Sequence, residues 1–309
     1  MQVSFPSVCW SLADIYKANP GLTNKGWQVL QTDYNNASDL RFKLTGVDTV
    51  ISTISGNAQL NLIDAAAAAS VRRFVPSEFE GSPSVRPAND ILDNRRRAAL
   101  TRLQQYESQG MRYTVFTCGI FYERFGPGGM AASQIRVRSD IGQEGEYIMD
   151  LRRARAQLPF YNEAGQPVYV CMTSARDVAR FVVAALNLAS WPREFRMRGD
   201  RMSVSDLVTI GEQLRGISPS FLELCRRETN VCLGTGRPFE RSSYTKESLQ
   251  DVLTYARAVG DKTRERRIMH LIVTAEGRYD FNNVNLNSAV SVTPQRFREW
   301  LSQVWASTH

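Results

Sequence analysis

The chain has 309 residues, 43% of them hydrophobic and 10% aromatic, with a formal net charge of +7. That size and apolar content are enough to bury a sizeable core, which excludes a disordered chain. No apolar run approaches the roughly 18 residues of a membrane span, and the opening MQVSFPSVCW has neither the basic start nor the apolar centre of a secretion signal. A cytoplasmic enzyme or regulator with no membrane partner is expected.

The positive charge does not predict a nucleic-acid surface. Arg95, Arg96 and Arg97 follow Asp90 and Asp93, and Arg264, Arg266 and Arg267 surround Glu265, as on solvated helix faces, with no alternating aromatic residues. The five cysteines, Cys9, Cys118, Cys171, Cys225 and Cys232, are scattered without a C-x-x-C pair, and the only histidines are His270 and His309. A disulfide scaffold and a metal centre are both disfavoured.

In chain order, Val3–Trp10 (VSFPSVCW) is a strand candidate, but Pro6 would forfeit a ladder hydrogen bond in a central strand and suits an edge. Trp27–Tyr34 (WQVLQTDY) reads as a strand and Ala37–Thr45 as a helix capped by Ser38. The segment Val47–Gly81 combines strand, crossover helix and parallel strand. Val50 and Ile51 lead into the small polar residues Ser52 to Ser55 and then Gly56, as a strand does where its carboxyl end opens on a ligand crevice. Leu60–Ser70 follows as a helix whose alanines can lie close on a sheet, and Arg72–Val75 starts the next strand, ended by Pro76 and Ser77.

A helix over Asp93–Gln109 and a strand over Tyr113–Thr117 continue the alternation. The pattern predicts an α/β fold with a Rossmann-like parallel sheet over residues 1–125. After Phe125 the glycine-rich GPGGMAASQ marks a change of texture, and residues 126–309 are expected to form a smaller α+β substrate lobe with some elements returning to the sheet. Its helices are expected at Ser174–Leu188, at Val204–Leu214 behind a Ser203 cap, and at Phe297–Trp305.

Together VDTVIST, LIDAAAAASVRRFVPSEFEG, YTVFTCGIFYERFGPGGM, TSARDVARFVVAALNLASWPREFRMRGDRMSV and FREWLSQVW resemble the NmrA-like family. These are atypical short-chain dehydrogenases that include the isoflavone-reductase-like enzymes, and the fungal members look most similar. The resemblance implies an NADP(H)-binding domain, a small-molecule substrate of aromatic or polyketide-like type, and a role as a reductase in secondary metabolism or as a non-catalytic redox-sensing regulator. By position it implies cofactor contacts from Asp33, Tyr34, Thr53, Ile54 and Ser55. Pro76, Ser77 and Glu78 would line the same crevice, with Ile120, Phe121 and Tyr122 on the nicotinamide side. The residues themselves also allow a structural reading: strand-end Ser and Thr cap backbone groups, and Phe121 and Tyr122 fill core.

Two departures stand out. A dinucleotide site needs a first strand followed by G-x-x-G-x-x-G, yet before Val47 the only glycines are Gly21, Gly26 and Gly46. The first strand and its loop are therefore expected to be missing, which would split the sheet at its centre. Either the short N-terminal stretch replaces them in an unusual way or a first coding segment has been lost. The pair Gly234 and Gly236 in CLGTGRP reads as loop. Secondly, the family's reductases carry a lysine on the helix that here spans Asp93–Gln109, where Arg95, Arg96 and Arg97 stand instead. A guanidinium can polarise a carbonyl but is a poor proton shuttle near neutrality, and surface charge is the simpler reading of all three. The Tyr-x-x-x-Lys pair of ordinary short-chain dehydrogenases is absent as well.

Overall fold

A computed structural model describes residues 10–14, 28–88, 90–133, 135, 141–215 and 238–306. The chain divides into two compact units: residues up to Glu78 with Asp93–Val115, and Phe79–Leu92 with everything from Phe116 onward. The division is not one cut after Phe125, because the short Phe79–Leu92 segment groups with the C-terminal residues.

In the first unit, β1 (Trp10–Asp14) runs parallel to β2 (Gln28–Thr32), with Trp10 opposite Gln28 and Asp14 opposite Thr32. Helix α1 (Ala37–Leu44) is capped by Asn36 and not by Ser38: the Asn36 side chain accepts from the Asp39 N–H at 3.0 Å. Asn36 keeps an extended backbone, so it lies just outside the first turn, where a side-chain oxygen can reach back to an open N–H. The expected strand, helix and strand follow as β3 (Thr49–Ile51), α2 (Asn57–Ala68) and β4 (Arg73–Val75). Helix α2 starts three residues before Leu60 because Gly56, at φ 72°, turns the chain directly from loop into helix. Helix α3 (Arg96–Tyr106) and β5 (Arg112–Tyr113) complete the unit. Strands β3, β4 and β5 are parallel neighbours in that order, and Leu60, Ile63, Ala66, Phe74 and Leu103 form the core against them.

The five strands thus form two separate sheets, β1–β2 and β3–β4–β5. In the doubly wound order 3-2-1-4-5-6, three strands consecutive both in sequence and in space, with earlier strands behind them, occupy positions four, five and six. β1 and β2 form a pair of their own, and β3 has no strand neighbour on its other edge among the described residues. A strand does precede Gln28, at Trp10–Asp14 and so starting where the candidate Val3–Trp10 ends, and it pairs with β2 and not with β3. Val3–Cys9 and the glycines Gly21 and Gly26 lie outside those residues.

The stretch expected as one strand over Tyr113–Thr117 is two short strands, β5 and β6 (Val115–Thr117), interrupted at Thr114. In the second unit β6 pairs with β11 (Glu194–Arg196), while β7 (Ile120–Phe121) and β12 (Asp200–Ser203) flank β10 (Tyr169–Thr173). A third sheet has β9 (Arg155–Leu158) between β8 (Met149–Asp150) and β13 (Glu240–Ser243). Helices α4 (Ala175–Ala185) and α5 (Val204–Arg215) begin at the expected caps, with Ser174 and Ser203 accepting at 3.0 Å from the N–H groups of Asp177 and Asp206. Helix α6 (Lys246–Ala258) comes from a stretch to which the sequence reading assigned no element, and α7 (Lys262–Ala275) contains Arg264–Arg267, read there as a helix face.

The closing helix α8 (Phe297–Ala306) packs its aromatic face inward: Phe297 meets Tyr122 edge-on with ring centroids 5.1 Å apart, and the Trp305 indole donates to the Phe125 carbonyl at 2.9 Å. A buried ionic cluster holds Phe79–Leu92. Arg278 binds Glu80 and, at 2.7 Å, Asp90, and Arg86 also reaches Glu80 at 3.1 Å. Gly234, Gly236, Cys225 and Cys232 lie outside the described residues. Among the described residues no helix is long and apolar enough to cross a membrane, and no group of three or more metal-ligating side chains occurs.

Candidate functional site

The first unit presents a wall at the carboxyl ends of β3 and β4. Ser52 continues the ladder, its N–H donating to the Val75 carbonyl at 2.8 Å, and then Thr53, Ile54 and Ser55 leave the sheet. Thr53 and Ser55 are exposed and Ile54 half-buried, so side chains at this strand end face outward from the core. Helix α2 then begins behind Gly56 with no side-chain cap on its first N–H groups. Such an end carries partial positive charge and open donors, the features that suit an anionic or carbonyl oxygen.

Gln59, in the first turn of α2 and 1% exposed, accepts the Ser77 N–H on its Oε1 at 2.6 Å and leaves its buried Nε2 without a hydrogen-bond partner. Asn61 donates to the Tyr34 carbonyl at 2.9 Å, and Asp33 Oδ1 accepts the Asn35 N–H at 2.9 Å, so Asp33 and Tyr34 are shaped into a turn beside the same helix. The structure therefore assembles Tyr34, Ile54, Ser55, Ser77 and their neighbours around α2 within one unit. Pro76 and Glu78 are buried in the turn after β4.

The arginines separate by environment. Arg95 and Arg97 are exposed, as surface charge would be, but Arg96 is 6% exposed and belongs to the interior face of α3. The approach to α3 is unusual: Asn94 and Arg95 both have left-handed backbones, with φ 42° and 62°, and the Asn94 amide donates to Ser55 at 2.8 Å. Asn94 and Gln59 were not singled out in the sequence, because neither carries a motif and each acquires its role only through its fold neighbours.

The second unit contains a recess of about 300 Å³ counting its open mouth. Ile120 and Phe121 line it, as do Phe79 and Gly119, all at strand ends or just beyond them. Tyr122 does not: it is fully buried against α8, with its hydroxyl donating to the Gln295 carbonyl at 3.1 Å, which is the structural role. The polar part of the lining is Glu80, Arg124, Tyr147, His270 and Tyr279, none anticipated from sequence spacing. Tyr147 lies 3% exposed, and burial with Tyr279 close by pushes its phenol far above the usual range, so it stays protonated.

A model of the NmrA-like family matches residues 16–214 of the chain. The chain belongs to the NmrA-like family. Within this family it is 26% identical over 250 residues to oxidoreductase swnN of Arthroderma benhamiae, covering 76% of this chain and 73% of that protein. It is 28% identical over 211 residues to oxidoreductase BOA1 of Botryotinia fuckeliana, with 61% of each covered. Among solved structures it resembles an isoflavone reductase, with TM-score 0.64, 16% identity, and 96% and 91% of the two chains covered. A leucoanthocyanidin reductase–NADPH complex from Vitis vinifera aligns with the same TM-score of 0.64 at 14% identity, covering 96% and 91%. At such identity these structures establish the α/β, Rossmann-like NmrA fold, in agreement with the sequence reading.

Proposed function

We propose that this NmrA-like chain is an NAD(P)H-dependent oxidoreductase acting on a small aromatic or polyketide-like metabolite. The observation that carries the reading is the β3–α2–β4 unit, whose strand-end loop runs into a helix with uncapped N–H groups and a buried, unpartnered Gln59 Nε2. This wall fits the polar groups of a dinucleotide. Its contacts would come from Asp33, Tyr34, Thr53, Ile54, Ser55 and Ser77, while Ile120 and Phe121 belong to the recess that would receive the substrate. When bound, the cofactor supplies hydride. The chain's own part is to orient both molecules, exclude water and manage the proton, and with no lysine on α3 that last task falls to other residues.

The relatives named oxidoreductases and the NADPH-bound structural neighbour support this reading. A second reading, a non-catalytic redox-sensing regulator, is favoured by one observation: the central strand and its glycine-rich loop have no counterpart among the described residues. Calorimetry with NADPH, followed by turnover with carbonyl and enone substrates, separates the two. Micromolar binding with NADPH consumption supports the oxidoreductase, binding without consumption favours the regulator, and no binding up to millimolar NADPH overturns the cofactor assignment.

A further inference from the structure

Arg278, just beyond α7, is a charged side chain in a fully buried place, and both of its ion-pair partners come from one segment. It binds Glu80, near the start of Phe79–Leu92, and through Nη1 donates at 2.7 Å to Asp90, near the end. Arg86, from between them, donates to Glu80 at 3.1 Å and stands 4.0 Å from Asp90. A single guanidinium thus draws together both ends of the segment. The backbone repeats the grip: a Cβ on Gly81 would overlap the Arg278 carbonyl oxygen, and the Glu80 carbonyl accepts the N–H groups of Cys118 and Gly119 at 3.0 and 3.1 Å. Phe79, Glu80 and Gly119 line the recess, whereas Arg86, Asp90 and Arg278 do not. The cluster lies behind the wall and reaches it through Glu80.

We propose that Asp90 and Arg278 are positioning residues for the recess, which fix Phe79, Glu80 and Gly119 in its wall without touching what binds there. Buried ion pairs are a weak source of net stability, because desolvating the charges offsets most of the Coulombic gain. Their geometry is narrow nonetheless. A guanidinium offers its N–H groups in a rigid planar fork, so with one arm held by Asp90 the other meets Glu80 in a single orientation. Arg86 cannot replace this anchor, since it belongs to the same segment and moves with it. Without the Asp90 charge the fork is free to turn, Glu80 loses its fixed partner, and the bonds from Cys118 and Gly119 to its carbonyl open more often. As a role in catalysis this rests on the oxidoreductase reading. The holding of the wall does not.

The test is amide hydrogen exchange on the full chain, without dinucleotide or substrate, comparing the native chain with Asp90→Asn. The Cys118 and Gly119 N–H groups are expected to exchange about tenfold faster in the variant, as loss of one charge-assisted hydrogen bond allows. The N–H groups of Gln157 and Glu240, which donate to the Ile148 and Ala154 carbonyls at 2.8 and 2.9 Å in the third sheet, are expected to keep their native rates. A residue that only stabilises the fold would speed all of these alike. Unchanged rates at Cys118 and Gly119, or equal acceleration at every site, overturn the proposal. If Asp90→Asn does not fold, Asp90→Asn combined with Arg86→Met, which leaves Arg278 and Glu80 as a neutral pair, is read in the same way. Arg278→Lys keeps the charge but not the fork and should show the same local acceleration; native rates in it would rule out the fork.

The catalytic arm uses NADPH with menadione as a quinone probe. Asp90→Asn should raise the menadione KM about tenfold and leave kcat within about twofold, because a loosened wall costs binding more than chemistry. Local acceleration of exchange with an unchanged KM removes the role in catalysis. No NADPH turnover by the native chain removes the oxidoreductase reading instead, and the exchange rates then decide by themselves whether Asp90 and Arg278 hold the wall.

Discussion

The side-chain amide of Asn94 donates to the hydroxyl of Ser55 across 2.8 Å, joining residues 39 apart in sequence. It ties the entrance of α3 to the loop that follows β3, and it does so from a backbone in which Asn94 and Arg95 are both left-handed. Asparagine tolerates that conformation and arginine pays a steric cost of about 1 kcal/mol for it. Arg95→Gly should therefore be more stable than Arg95→Ala by about 1 kcal/mol in urea unfolding, although glycine is the more flexible residue when unfolded. Equal stability of the two variants would show that position 95 is not held left-handed.

Gly119 has φ 72°, and a Cβ there would overlap the carbonyl oxygen of Cys171 on β10. Both the backbone conformation and the close approach demand glycine. Gly119→Ala is expected to cost roughly 2–4 kcal/mol, combining left-handed strain with overpacking, read as a lower urea midpoint with an unchanged slope. A loss below about 0.5 kcal/mol would mean that β7 and β10 are not so closely apposed.

Arg278 and Arg86 neutralise Glu80 and Asp90 in a cluster whose four side chains are nearly inaccessible to water. Removing one cation leaves a buried carboxylate without compensation. Arg278→Met should destabilise the fold by about 3–5 kcal/mol, and pairing it with Glu80→Gln should recover part of that loss in a double-mutant cycle. Strict additivity of the two changes would sink the coupling.

Glu194 provides a pH prediction. Burial pushes its carboxyl up, but the hydrogen bonds from Arg196, Thr117 and Ser82 outweigh burial and hold it below the ordinary 4.5. A depressed folded pKa means that its stabilisation is fully present above pH 4.5 and is lost as pH falls through the folded value. Thermal melting from pH 4.5 downward should fall more steeply in the native chain than in Glu194→Gln. Parallel curves would contradict the ion pair with Arg196.

Periodicity and end signals are local, and they were legible. The strand, helix and strand between Val47 and Gly81 follow from a β-branched run, an alanine-rich crossover and the Pro76 stop, and Ser174 and Ser203 cap the helices expected to follow them. Asn36 displaced Ser38 as a cap because position relative to the first turn, not residue preference alone, decides which oxygen reaches an open N–H. The residues proposed for the cofactor, from Asp33 to Ser77, lie at strand ends that sequence can mark. Long-range pairings such as Asn94 with Ser55 left no local trace.

By itself the sequence determined the family, the alternation of strands and helices, the strand-end wall at Thr53–Ser55, and the absence of a glycine-rich loop ahead of it. Only the tertiary structure decided the strand positions. It gives the order β3–β4–β5 and a separate β1–β2 pair, and leaves β3 with no strand neighbour on its other edge among the described residues, because hydrogen-bond neighbours, unlike strand propensity, are a property of the folded chain. The tertiary structure also decided the recess: Glu80 and Tyr147 stand far in sequence from His270 and Tyr279, and only the packing of α7 and the segments around it brings the four into one lining.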